Sequence, residues 1–108
     1  MLNFWSAHCG PCIAEVPSLV QLQERMGAKV VVLGVSVDTT DGDYHKFLRD
    51  YHINFATVLD ADKTSFALYG ATGYPETTII DKNGVIRQKF IGPVNWNSRE
   101  ITDYLSKL

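Results

Sequence analysis

Two cysteines three positions apart, Cys9 and Cys12 in the run Cys9-Gly10-Pro11-Cys12, are the only thiols in a chain of 108 residues. That spacing lets a pair pass between dithiol and disulfide with little movement of the backbone, so the residue types point to redox exchange. Pro11 suits the first turn of a helix, where its missing N–H is no loss and its fixed φ is already helical. Cys9 therefore falls at or just before a helix start, whose unpaired N–H groups and positive dipole end stabilise a thiolate. Cys9 reads as the attacking thiol. Cys12, set deeper in the first turn, reads as the thiol that resolves a mixed disulfide.

Other uses of the pair fit less well. A structural zinc site needs four ligands, and no further cysteine is present, so no metal is expected. A disulfide closing so small a loop restricts the unfolded chain little and makes a poor staple. With 45% hydrophobic residues and a net charge of −2, the chain suits one compact domain over residues 1–108. It carries no basic nucleic-acid footprint, and no apolar run has the length that spans a bilayer.

The elements that must hold the thiols alternate along the chain. Leu2 to Trp5 reads as a short strand and Pro11 to Met26 as a helix, with Gly27 as its left-handed cap. Lys29 to Val37 is a nearly unbroken β-branched run, which predicts a strand buried on both faces of a sheet. Tyr44, Phe47, Leu48 and Tyr51 fall on one face of a following helix, with His45, Lys46, Arg49, Asp50 and His52 on the other. Phe55 to Leu59 is a further strand, and Asp62 is the expected cap of a short helix from Lys63 to Tyr69 that stops at Gly70. Thr77 to Asp81 and Val85 to Ile91 flank Lys82-Asn83-Gly84, a hairpin signal that predicts antiparallel strands. Asn97, three residues before Glu100, predicts a capping box for a last helix with Ile101, Tyr104, Leu105 and Leu108 on one face. The order predicts an α/β fold, a mixed central sheet with helices on both faces.

With these elements in place, Asn3-Phe4-Trp5 followed by the cysteine pair, then Pro17, then Gly73-Tyr74-Pro75 before the hairpin, resembles a thioredoxin-like fold. Glu15 in Cys12-Ile13-Ala14-Glu15-Val16-Pro17 and the run Gly73-Tyr74-Pro75-Glu76-Thr77 narrow the resemblance to the TlpA/ResA/DsbE-like thiol-disulfide oxidoreductases. The segment around residues 38 to 60 matches that family's central strand-helix insertion. The family's N-terminal hairpin would precede the first strand, and this chain opens inside that strand. Either it is a trimmed piece of a longer exported protein or it lacks the elements that shield one sheet edge, and an uncovered edge could pair between molecules.

The resemblance implies a set of roles. Pro17 should kink the active-site helix rather than end it. Tyr74-Pro75 should be a cis peptide facing the dithiol, so that Trp5, His8, Gly10, Pro11, Tyr74 and Pro75 form the surface met by an extended substrate strand. Glu15, one turn beyond Cys12, should exchange protons with it, in a family position where thioredoxins instead carry a buried aspartate at the place of Asn3. Its alternative reading is an exposed helical glutamate. His8 departs from the family's usual tryptophan. Its imidazolium would favour the Cys9 thiolate and make the disulfide more oxidising, or else it is an exposed polar substitution. His45 and His52 read as solvated surface residues, Trp5 as packing beside the site, and Trp96 as either core or rim.

By the same resemblance the reaction is reduction of protein disulfides outside the bacterial cytoplasm, as in cytochrome c maturation, with apocytochrome c as a substrate and a membrane thiol carrier as donor. No cofactor beyond the Cys9–Cys12 pair is implied. Two other classes stay open. A peroxiredoxin-like peroxidase would share the strand Val32 to Asp38 and use Ser6 in place of a threonine, although Leu2 stands where its proline belongs. A copper- or haem-handling module would use His8, Cys9 and Cys12.

Overall fold

The computed structural model describes residues 1–108. Five strands and four helices follow one another as β1 (Leu2–Trp5), α1 (Gly10–Met26), β2 (Leu33–Ser36), α2 (Asp41–Asp50), β3 (Ala56–Leu59), α3 (Thr64–Leu68), β4 (Glu76–Ile80), β5 (Ile86–Ile91) and α4 (Arg99–Ser106). The sheet order is β3-β2-β1-β4-β5. The pairs β1/β2 and β2/β3 are parallel, while β1/β4 and β4/β5 are antiparallel. The expected mixed sheet is thus present, with β1 central and the cysteines just beyond its C-terminal end.

Alternation along β1 assigns the two faces. Trp5 stacks on Tyr44 and Phe47 of α2, and Leu19 and Leu22 of α1 share a buried cluster with Ile79, Trp96 and Leu105 of α4. Phe4 points the other way and meets Phe66 and Tyr69 at α3. Three helices cover one face and the short α3 the other. Trp96 is fully buried and edge-on to Phe90, which makes it core.

α1 runs on through Pro17, which ends no helix, as expected. Several other local expectations shift. Gly27 is right-handed, with φ −58°, rather than a left-handed cap. The turn is instead closed by the N–H groups of Lys29 and Val30, both donating to the Met26 carbonyl at 2.8 Å. The β-branched run begins outside the sheet. Only Leu33–Ser36 pairs on both sides, and Val31, which precedes the ladder, is 69% exposed. Phe55 likewise stops short of β3.

The caps of two helices also move. Asp60, more than Asp62, caps α3, accepting from the N–H groups of Thr64 and Phe66 and from the Ser65 hydroxyl. Asp62 adds one long bond to Thr64 N–H at 3.3 Å. α4 is capped by Ser98, whose hydroxyl accepts from Ile101 N–H, while Asn97 bonds Gln21 of α1. Both shifts have one cause: several Asp, Asn and Ser side chains stand within reach of each helix start, and packing selects among them. The Asn83-Gly84 turn and the left-handed Gly70, with φ +68°, stand as expected.

Gly34 shows why β2 can lie under Trp5. A Cβ there would run into the Trp5 ring and Phe55. Gly34→Ala is therefore expected to destabilise the fold by about 3 kcal/mol, read from the shift in urea midpoint, because neither aromatic can yield in a packed core.

Candidate active site

β1 ends at Trp5 and the chain turns through Ser6, Ala7 and His8 to reach the start of α1. Cys9 is the N-cap, in extended conformation, and its sulfur accepts the N–H of Cys12 at 3.1 Å. Gly10 opens the helix and Pro11 follows in its first turn, where the lost N–H costs nothing. The two cysteines are joined as a disulfide with Cα atoms 5.2 Å apart. Cys9 retains 8% exposure against 2% for Cys12. The N-terminal residue of the pair is therefore the one a partner can reach.

The segment before β4 comes up against this sulfur. Tyr74-Pro75 is cis, and the Tyr74 carbonyl oxygen lies 3.6 Å from Cys9 Sγ. Pro75 is buried and its carbonyl accepts from Gly92 N–H at 3.0 Å, while the Tyr74 side chain is 41% exposed. Gly10 and Pro11, directly after Cys9, are exposed. Trp5 is different. At 3% exposure it lies beneath the site against α2 and offers no surface to a substrate, because its ring faces inward over Gly34.

Glu15 is buried, at 3% exposure. Its Oε1 accepts from Asn3 Nδ2 at 3.0 Å and its Oε2 from Val94 N–H at 2.9 Å. Asn3 spends its second amide hydrogen on Thr77 Oγ1 at 2.9 Å, so its amide orientation is fixed by two acceptors. Burial pushes the Glu15 carboxyl above its usual range, opposed in part by the hydrogen bonds from Val94 and Asn3. This buried carboxyl lies three residues beyond Cys12, one turn along α1.

His8 is exposed and its Nε2 sits 3.0 Å from Asp43 Oδ2 on α2. The hydrogen bond and charge of Asp43 raise the His8 pKa, and the Asp43 carboxyl is lowered in return. His45 and His52 are exposed on α2 and just beyond it, as expected. No group of three or more His, Cys, Asp or Glu side chains is arranged to hold a metal ion.

Sequence reasoning missed the contacts of three residues. Asn3 and Val94 reach Glu15 from 12 and 79 positions away. Asp38, at the end of the β-branched run, is buried and accepts from the Ser6 and Ser36 hydroxyls and from Ala7 N–H. A lone acid following a buried strand was the available signal.

A thiol pair at a helix N-terminus beside a cis-proline on a mixed sheet defines the thioredoxin-like class of redox proteins. Within it, the AhpC/TSA family model matches residues 1–89, and the chain belongs to that family, among its TlpA/ResA/DsbE-like thiol-disulfide oxidoreductase members. The thiol-disulfide oxidoreductase ResA of Bacillus anthracis is 29% identical over 108 residues, which cover 99% of this chain and 61% of that protein. The thiol:disulfide interchange protein DsbE of Pseudomonas aeruginosa is 34% identical over 96 residues, covering 88% of this chain and 52% of the relative. The chain thus spans between half and two thirds of the length of these relatives. Among solved structures, a provisionally named DsbE from Chlorobium tepidum superposes with a TM-score of 0.90 at 30% identity, over 98% of this chain and 76% of that one. A secreted Mycobacterium tuberculosis disulfide oxidoreductase homologous to DsbE gives 0.84 at 28% identity, over 99% of this chain and 79% of that one.

Proposed function

We propose that this chain carries out thiol–disulfide exchange with protein substrates. The observation that carries the reading is the Cys9–Cys12 disulfide at the start of α1, with Cys9 the more exposed sulfur and 3.6 Å from the Tyr74 carbonyl. In the reducing direction the Cys9 thiolate attacks a substrate disulfide, one substrate sulfur leaves as thiolate, and Cys12 then displaces the second to close the Cys9–Cys12 bond. Glu15 takes up the Cys12 proton in that second step. Gly10, Pro11, Tyr74 and Pro75 shape the docking surface, and no metal or organic cofactor is required. The names of the relatives support thiol–disulfide exchange, and the secreted Mycobacterium tuberculosis oxidoreductase supports action outside the cytoplasm; the reducing direction is the one this reading takes. Cytochrome c maturation, with apocytochrome c as substrate and a membrane thiol carrier as donor, is the pathway this reading favours.

The test is the reduction potential of the pair, measured by equilibration in defined thiol/disulfide buffers. A value near the thioredoxin end, roughly −270 mV, supports the reductant; one near the DsbA end, about −120 mV, makes the protein an oxidant. A pair that does not cycle overturns the reading. The same measurement decides His8. Because Asp43 lies 3.0 Å from its ring, the two charges largely cancel at Cys9, and His8→Trp is expected to leave the potential near wild type. A clear fall would return His8 to a redox role.

The AhpC/TSA match also favours a test for peroxidase chemistry. The Ser6 hydroxyl donates to Asp38 at 3.1 Å and accepts from His8 N–H, so it is engaged by protein groups rather than directed to a peroxide. Slow peroxide consumption by the reduced protein is the expected result.

A further inference from the structure

We propose that Asp38 is a positioning residue for Cys9, a buried anion that anchors the Ser6–His8 approach and biases the pair toward its disulfide form. The inference rests on the thiol–disulfide exchange reading and adds a residue to it.

Asp38 stands just past β2, 4% exposed. Its Oδ1 accepts the Ser6 hydroxyl at 3.1 Å, and Ala7 N–H lies 3.0 and 3.1 Å from its two oxygens. Its Oδ2 accepts the Ser36 hydroxyl at 2.6 Å, and Ser36 Oγ in turn accepts Asp38 N–H at 3.1 Å. The segment tied down in this way is the whole connection between β1 and α1. Ser6 Oγ accepts His8 N–H at 3.3 Å and the Ser6 carbonyl accepts Cys9 N–H at 3.2 Å. One carboxylate thus sets the backbone from which the Cys9 sulfur is presented. Losing it would leave two buried hydroxyls, of Ser6 and Ser36, and the Ala7 N–H without that acceptor.

The same placement has an electrostatic consequence. Folding brings an anion 29 positions away in sequence onto the Ala7 N–H, two residues before Cys9, and the carboxylate is itself buried, where solvent screens little. A fixed negative charge opposes the thiolate and so disfavours the reduced, ionised pair. The other charged or titratable groups around Cys9 are His8 on its own loop, Glu15 on α1, Asp43, Tyr44, Lys46 and Asp50 on α2, Tyr51 at its end, and Tyr74 and Glu76 flanking Pro75. His8 is already paired with Asp43 and Glu15 with Asn3 and Val94. Asp38 is the acid that accepts from the backbone of that loop, through the Ala7 N–H, as well as from the Ser6 hydroxyl.

The experiment uses the intact chain in wild-type, Asp38→Asn and Ser36→Ala forms. Reduced protein is alkylated with iodoacetamide across pH, Cys9 is read by peptide mass, and the dithiol/disulfide ratio is measured in glutathione buffers. Asp38→Asn keeps the shape and an acceptor but removes the charge. It is expected to lower the pH midpoint of Cys9 alkylation and to move the equilibrium about three- to tenfold toward the dithiol. Ser36→Ala removes a donor that disperses the Asp38 charge and is expected to shift both readouts the opposite way. A purely structural role would move the two variants together. Movement in the same direction, or Asp38→Asn matching wild type, overturns the proposal. Should Asp38→Asn fail to fold, Ser36→Ala decides alone, and an unchanged or lowered midpoint overturns it. Wild-type protein that never cycles overturns the exchange reading and this inference with it, whereas a cycling wild type with an unshifted Asp38→Asn overturns only the inference.

Discussion

A Cys12→Ser variant is expected to accumulate as a covalent mixed disulfide with its substrate through Cys9, whereas Cys9→Ser forms no adduct. Both lose turnover by on the order of a thousandfold or more, since each removes one of the two sulfurs the cycle needs. The asymmetry follows from position. Cys9 is the N-cap and holds the remaining exposure of the pair, and its sulfur accepts the Cys12 N–H, an interaction that strengthens when the sulfur carries charge. Cys12 is shut in by the first turn, where only a disulfide already formed on Cys9 can reach it. Adduct trapping on non-reducing gels, with the site located by peptide mass, checks the result. An adduct that forms on Cys9→Ser as fast as on Cys12→Ser would reverse the assignment.

Glu15→Gln carries the second large effect. With Glu15 assigned as the proton acceptor for Cys12, this substitution is expected to slow release of the mixed disulfide about tenfold or more, while the attack by Cys9 changes little. Pre-steady-state kinetics across pH separate the two steps, and unchanged release would remove Glu15 from the mechanism. The stability profile gives an independent readout. Burial raises the Glu15 carboxyl in the folded chain, so the folded state holds its proton to higher pH than the unfolded state does. Wild-type stability therefore falls as pH rises from the ordinary carboxylate range through the raised folded value, and levels off above it. Glu15→Gln cannot titrate there. Its urea midpoint is expected to change less over that window, and equal slopes for the two proteins would contradict a buried, raised Glu15.

Asn3 explains why this carboxyl tolerates its setting. In a buried site an unpaired carboxylate is costly, and here two N–H donors face its two oxygens. The donors come from β1 and from the loop before α4, so the acid in this chain is carried by the helix and served by the strand. Thioredoxins, by the resemblance drawn from the sequence, place the acid on the strand itself.

The amino-acid sequence determined what is local. Cys9-Gly10-Pro11-Cys12 defines its own helix start, because a proline in the first turn and a thiol at the cap act within four residues. Asn83-Gly84 defines its own hairpin and Gly70 its own left-handed stop, since these depend on φ preferences of single residues. The combined motifs also carried the thioredoxin-like architecture and the cis Tyr74-Pro75 bond beside the thiols.

Only the tertiary structure decided contacts between distant segments. Burial of Glu15, the pairing of His8 with Asp43, the inward turn of Trp5 over Gly34 and the anchoring of Ser6 and Ala7 by Asp38 all join residues from different elements. Choices among near-equivalent caps, Asp60 over Asp62 and Ser98 over Asn97, were settled in the same way. The physical reason is that hydrogen-bond acceptors and charges take their strength from burial and from partners, and a side chain's type records neither.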